Sequence, residues 1–169
     1  MLTIKEITLK NFMSVGNVTQ GVRLSDSGLT LVLGNNLDLG GDGSRNGTGK
    51  TTIVNALSYG LFGQALTNIR RDNLINKTNG KHMLVMIEFI HNNTTYRIER
   101  GRKPSICRFF VNNAEQIDET DEGQGESRLT QEQIGKILCM SHNMFKHIMA
   151  LNTYTEPFLA MKQNDQRNL

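Results

Sequence analysis

Apolar and polar positions alternate from the start of the chain. In LTIKEITLK (2–10), Leu2 and Ile4, then Ile7 and Leu9 after one slip, fall on apolar faces, which predicts a strand. Asn11 to Gly16 reads as a bend and residues 17–24 as a second strand. Leu29-Thr-Leu-Val-Leu is a short unbroken apolar run ending at Gly34, the pattern of a strand buried on both faces. After a loop rich in Gly, Asp and Asn (35–45), Ile53, Leu57, Gly60 and Leu61 recur at spacings of three and four. That spacing predicts a helix, with Gly63 as its stop. Three further runs, 83–90, 95–100 and 106–111, are separated by His91-Asn-Asn-Thr, by Gly101-Arg-Lys-Pro and, at the far end, by Asn112-Asn113. They predict an antiparallel meander with Met83, Val85, Ile87, Phe89, Tyr96 and Ile98 inward. Thr130-Gln-Glu-Gln133 reads as a capping box opening a helix with Ile134, Ile137 and Leu138 inward. Ser141 caps a shorter one carrying Met144, Phe145 and Ile148.

Composition narrows the class. A chain of 169 residues with 37% hydrophobic and 21% charged residues fits one soluble globular unit. The net charge of +3 permits a nucleic-acid partner without arguing for one. Cys107 and Cys139 exclude a disulfide framework and read as free buried thiols in a reducing compartment. His82, His91, His142 and His147 lack metal-binding spacing, and the Cys139–His142 pair reads as packing. No apolar stretch is long enough for a membrane span, and no signal peptide is visible, so the expected location is cytoplasmic.

The strongest chemical signal is Gly47-Thr-Gly-Lys-Thr-Thr52, set between the apolar run and the helix. Phosphate binding requires this layout. Residues with little side chain let backbone N–H groups converge on oxygen atoms, and a helix N-terminus adds unpaired donors. Lys50 is expected on the β/γ-phosphates and the Thr51 hydroxyl on Mg²⁺. The usual earlier glycine is replaced by Ser44, with Gly43 one residue early. This predicts an insertion over 35–44, with Asp38 and Asp42 facing solvent or a partner.

The chain resembles the SMC/SbcC family of DNA-repair ATPases, and within it the phage recombination-endonuclease branch. The matching stretches are Leu9–Gly16, Arg45–Thr52, Asn55–Gly63, Leu74–Asn76, Tyr96–Arg100 and Met144–Leu151. The resemblance implies an α/β P-loop NTPase: the N-terminal lobe of an ABC-ATPase-type head, with a mixed sheet and an antiparallel meander. It implies a lobe over 1–161 (P-loop 43–52, meander 82–117, helices 129–149), with 162–169 beginning a coiled-coil helix. It places Asn46, Gly47, Thr48, Gly49, Lys50, Thr51, Thr52 and Ser14 around ATP, and Thr51 with Asn152 around Mg²⁺.

The implied partners are a second copy of the head joined through ATP, the C-terminal lobe of the same protein, an SbcD-type nuclease and double-stranded DNA, in the host cytoplasm if the protein is viral. No apolar run ends in Asp-Glu, and no Leu-Ser-Gly-Gly signature occurs. No catalytic residue is therefore assigned here, and the chain alone is expected to bind nucleotide weakly and hydrolyse it negligibly. Two basic stretches stand as DNA-contact candidates against ordinary solvated charges: Arg97, Arg100, Arg102, Lys103 and Arg108, and Arg70, Arg71, Lys77 and Lys81. A RecF- or RecN-like repair head and a non-hydrolysing nucleotide-binding module are the alternative readings.

Overall fold

The structure, a computed structural model, describes residues 2–24, 28–36, 47–116, 128–151 and 156–167. Six described strands form one antiparallel sheet in the order β2-β1-β3-β4-β5-β6. They are β1 (Leu2–Lys10), β2 (Gln20–Arg23), β3 (Met83–His91), β4 (Thr94–Arg102), β5 (Ile106–Val111) and β6 (Ala114–Glu115). The slip in β1 is a bulge between Ile4 and Glu6. Ile4 sits opposite Phe89, while Ile7 faces Ile87 and Leu9 faces Val85. One extra residue resets the side-chain parity, so apolar positions on either side of the slip share the inner face.

The meander forms as its alternation predicts. Val85, Ile87, Phe89 and Ile98 are fully buried. Asn92 and Asn93 (φ 48° and 60°) close β3 onto β4, and Asn112 and Asn113 (φ 47° and 67°) close β5 onto β6. Both pairs have the two left-handed residues that suit the twist of a two-residue hairpin. Tyr96 stacks between Phe89 and Phe109 at ring separations of 5.2 and 5.8 Å.

Helix α1 (Lys50–Phe62) lies across the inner face, against β3, β4 and β1. Gly60 allows the close approach: a Cβ there would fall 2.3 Å from Ile87 Cδ1. Gly63 ends the helix in the left-handed conformation, its N–H bonded to Tyr59 O at 2.7 Å. This is the stop its position predicts.

Helix α2 (Arg128–Leu138) buries Ile134 and Leu138. It corrects the capping-box reading, because it already includes Arg128, two residues before Thr130, and Thr130 is buried within it. Gln131 instead reaches across to α1. Ser141 does cap the next helix α3 (His142–Met144), accepting from Met144 N at 3.0 Å, and a π-helical turn over Phe145–Met149 follows.

A second correction concerns 29–33. These residues form no described strand. Leu29 is 94% exposed, Leu31 79% and Leu33 67%. A strand buried on both faces needs hydrogen-bonded neighbours and two covering layers. The described residues supply neither, so all described pairing is antiparallel, without the parallel strand that would make the sheet mixed. The cysteines are also more open than expected. Cys107 is half-buried and Cys139 exposed, its Sγ donating to Lys136 O at 3.1 Å just past the end of α2. Among the described residues no cluster of His, Cys, Asp or Glu could hold a metal. No described helix is long and apolar enough to cross a membrane. A short exposed helix, α4 (Gln163–Arg167), lies where the coiled-coil helix is expected to begin.

Candidate functional site

The site grows from the N-terminus of α1. Gly47 and Gly49 take φ of +75° and +84°, the left-handed region where a side chain is strained. Gly49 is the N-cap. It offers no side-chain cap, and no acidic residue stands in the first turn. Most helix starts are satisfied by a Ser, Asp or Asn oxygen. Here the helix's positive end carries no such compensation from its own cap or first turn, which suits an anion supplied from outside.

Around this end lies a pocket of about 330 Å³, lined by Met13, Ser14, Gly47, Thr48, Gly49, Lys50, Thr51 and Thr52. No carboxylate is among the described residues of that lining. Lys50 Nζ donates to Thr48 Oγ1 at 3.3 Å, which holds the ammonium group over the loop. Thr51 is exposed at the pocket, whereas Thr52 is 4% exposed and its hydroxyl is bonded to Ser14 Oγ at 3.0 Å. Gly34 closes against the loop from the apolar segment: a Cβ there would fall 1.9 Å from Thr48 Oγ1. Seven of the residues expected around ATP and Mg²⁺ thus converge: Ser14, Gly47, Thr48, Gly49, Lys50, Thr51 and Thr52. Asn46 and Asn152 lie outside the described residues, as do Asp38 and Asp42 of the expected insertion. Sequence reasoning missed Met13. Its signal was the bend itself, where Asn11 and Met13 take φ of 50° and carry the chain end to the pocket.

Four of the five basic residues on the meander, all but the exposed Lys103, are engaged by the fold. Arg97 Nε lies 3.2 Å from Glu99, and its guanidinium sits 4.1 Å over the Phe110 ring. Arg108 lies between Glu99 (3.9 Å) and Glu115 (3.6 Å). Arg102 donates to Asp72 at 2.7 Å, and that hydrogen bond, with the arginine's charge, holds the Asp72 carboxyl below its ordinary range. Arg100 is 2% exposed and points inward, donating to Gly60 O and to Gln131 Oε1, while Gln131 Nε2 donates to Leu61 O. The solvated-charge alternative for this stretch is too weak for Arg100, which clamps α2 onto the end of α1. Its inward direction follows from sharing parity with Tyr96 and Ile98.

Comparison with known proteins gives the chain's family and fold. A family profile described as AAA domain matches residues 6–168. Exonuclease subunit 2 of Enterobacteria phage T4 is 32% identical over 168 residues, covering 98% of this chain and 27% of that protein. The DNA double-strand break repair Rad50 ATPase of Sulfolobus acidocaldarius is 31% identical over 100 residues, covering 59% of this chain and 10% of that protein. A solved structure from work on ATP-driven dimerization and DNA-stimulated activation of SMC ATPases superposes with a TM-score of 0.62 at 20% identity. It covers 98% of this chain and 96% of its own, so the two share a fold. The chain spans about a quarter of the length of the phage relative it matches.

Proposed function

This chain belongs to the AAA domain family, and we propose that it is the ATP-binding N-terminal half-head of an SbcC-like ATPase in DNA double-strand-break repair and recombination, working with an SbcD-like nuclease on DNA ends. The observation that carries the reading is the α1 N-terminus, uncapped by any side chain of its own and with Lys50 held over a glycine loop.

The residues fit a triphosphate. Gly47 and Gly49 keep the loop free of side chains, the helix start would offer backbone amides to an anion, and Lys50 adds a full positive charge. Thr48 completes the described part of the loop. The exposed Thr51 hydroxyl is the group that would hold Mg²⁺, with Asn152 as a second oxygen donor. When bound, Mg²⁺ neutralises charge on the phosphate oxygens. Ser14 and Thr52 act differently: their mutual hydrogen bond fixes the bend against the first turn, so they position the cradle. With no carboxylate among the described lining residues, these residues bind and orient the nucleotide and do not themselves supply a general base.

The exposed apolar segment 29–33 supports the C-terminal lobe as a partner. Leu29, Leu31 and Leu33 would be covered, and the strand paired, by sequence beyond the quarter-length segment. A second head, joined through ATP, would close the pocket's open side. The test is sedimentation of the full-length protein with and without ATP and Mg²⁺. Nucleotide-dependent dimerisation with turnover is expected. A protein that stays monomeric and silent with saturating ATP would leave only the nucleotide-binding module.

A further inference from the structure

The second basic stretch has a different fate from the first. Arg70 and Arg71 leave the connection after α1 and meet Lys146 and His142 across a cleft of about 500 Å³. Its lining is completed by residues 64–69 and Asn143. Among the described residues no Asp or Glu lines it. On the meander, by comparison, Glu99, Glu115 and Asp72 stand against the arginines. Burial, and then the nearby Lys146 charge, hold the His142 imidazole below its ordinary range, which agrees with a cleft of positive potential.

The lining also tells against a protein partner. Of its apolar side chains, Ala65 and Leu66 are buried (7% and 4% exposed) and Ile69 is half-buried against the core, so it offers little of the apolar or aromatic anchor that protein interfaces use. Gln64, Asn68 and Asn143 add amide groups beside the cations, the mixture that contacts phosphate and sugar. Among the described lining residues the half-buried His142 carries the one aromatic ring, so they offer little platform for stacked bases and suit an intact duplex better than a single strand.

We propose that this cleft holds backbone phosphates of double-stranded DNA, through Arg70 and Lys146 from its two walls with Arg71 beside them. The proposal rests on the DNA-acting reading above and assigns the contact to this cleft instead of the meander. It predicts binding that is indifferent to sequence and steeply weakened by salt.

The test is fluorescence anisotropy of a labelled duplex with the full-length protein over a salt series. It compares wild type, the double variant Arg70→Gln/Lys146→Gln, and Arg108→Gln as the meander control, with circular dichroism to confirm folding. The double variant is expected to lose affinity equally for unrelated sequences and to flatten the salt slope by about two. Arg108→Gln should match wild type, and all three should bind ATP alike. Unchanged affinity and slope in the double variant, or a loss confined to Arg108→Gln, overturns the assignment. No duplex binding by wild type overturns it too, while ATP titration of the same sample shows separately whether the nucleotide reading stands. Tripolyphosphate supplies the same chemistry without DNA. If, in a Lys50→Ala background, it needs Arg70 and Lys146 while the duplex does not, the cleft is a small-polyphosphate site and the proposal fails.

Discussion

Ser14 Oγ lies 3.0 Å from Thr52 Oγ1, joining the bend after the first strand to the first turn of the helix that carries the phosphate loop. A Cβ on Gly49 would stand 3.0 Å from that same Ser14 oxygen, so three residues make one wall of the pocket. Ser14→Ala should lower stability by about 1 kcal/mol, because it leaves the buried Thr52 hydroxyl short of a partner, and Thr52→Val by less, because the exposed Ser14 hydroxyl can turn to water. The double substitution should cost less than their sum. Urea titrations of the four proteins measure this, and strict additivity would show that the contact contributes nothing.

Arg100 reaches Gly60 O and Gln131 from a site that is 2% exposed. Replacing it by Met removes the guanidinium and leaves buried acceptors unsatisfied. A loss of about 2–4 kcal/mol is expected in the urea midpoint, without a change in DNA affinity. Arg100→Lys should recover little, because an ammonium group cannot reproduce the planar fork. A neutral effect of Arg100→Met on stability would remove the clamp from the account.

Gly60 faces Ile87 at a distance that admits no side chain. Gly60→Ala should destabilise by about 1–3 kcal/mol through overpacking. Adding Ile87→Val removes the Cδ1 atom that lies closest, so the pair should be more stable than Gly60→Ala alone. Thermal melts of both variants decide it.

His142 Nε2 sits 3.0 Å from Ser58 Oγ, and the imidazole is held below its ordinary value of 6.5 by burial and then by Lys146. A base with a lowered folded pKa binds fewer protons folded than unfolded, so stability rises with pH across that window. Stability should therefore fall as pH drops below about 6.5 and level off once the folded imidazole is itself protonated. His142→Asn should flatten that part of the profile. Urea midpoints between about pH 8 and pH 5 provide the check.

Much of this was legible in the sequence because local rules and tertiary demands coincide. The alternation Met83-Val85-Ile87-Phe89 has one solution once a helix covers one face. The Asn-Asn pairs state their turn type, and the glycines of 47–49 with Lys50 state their chemistry. Leu29–Leu33 misled because pattern reports a need for burial, not the presence of a partner. Thr130–Gln133 misled because the contact of Gln131 with Arg100 and Leu61 O outweighs a local cap. The meander's charges were ambiguous because a cluster of arginines in sequence says nothing of which carboxylates face them. Glu99 alone meets two. The cleft was hidden because Arg70 and Lys146 are 76 positions apart in the chain (146 − 70) and meet only in the fold.

The central claim is that the mouth of α1 holds the triphosphate of ATP through Lys50 and the glycine loop. Titration calorimetry of ATP with Mg²⁺ against the full-length protein and its Lys50→Ala variant tests it most directly. Saturable binding by the first and none by the second is the predicted result. Equal binding by both would place the nucleotide elsewhere and contradict the account.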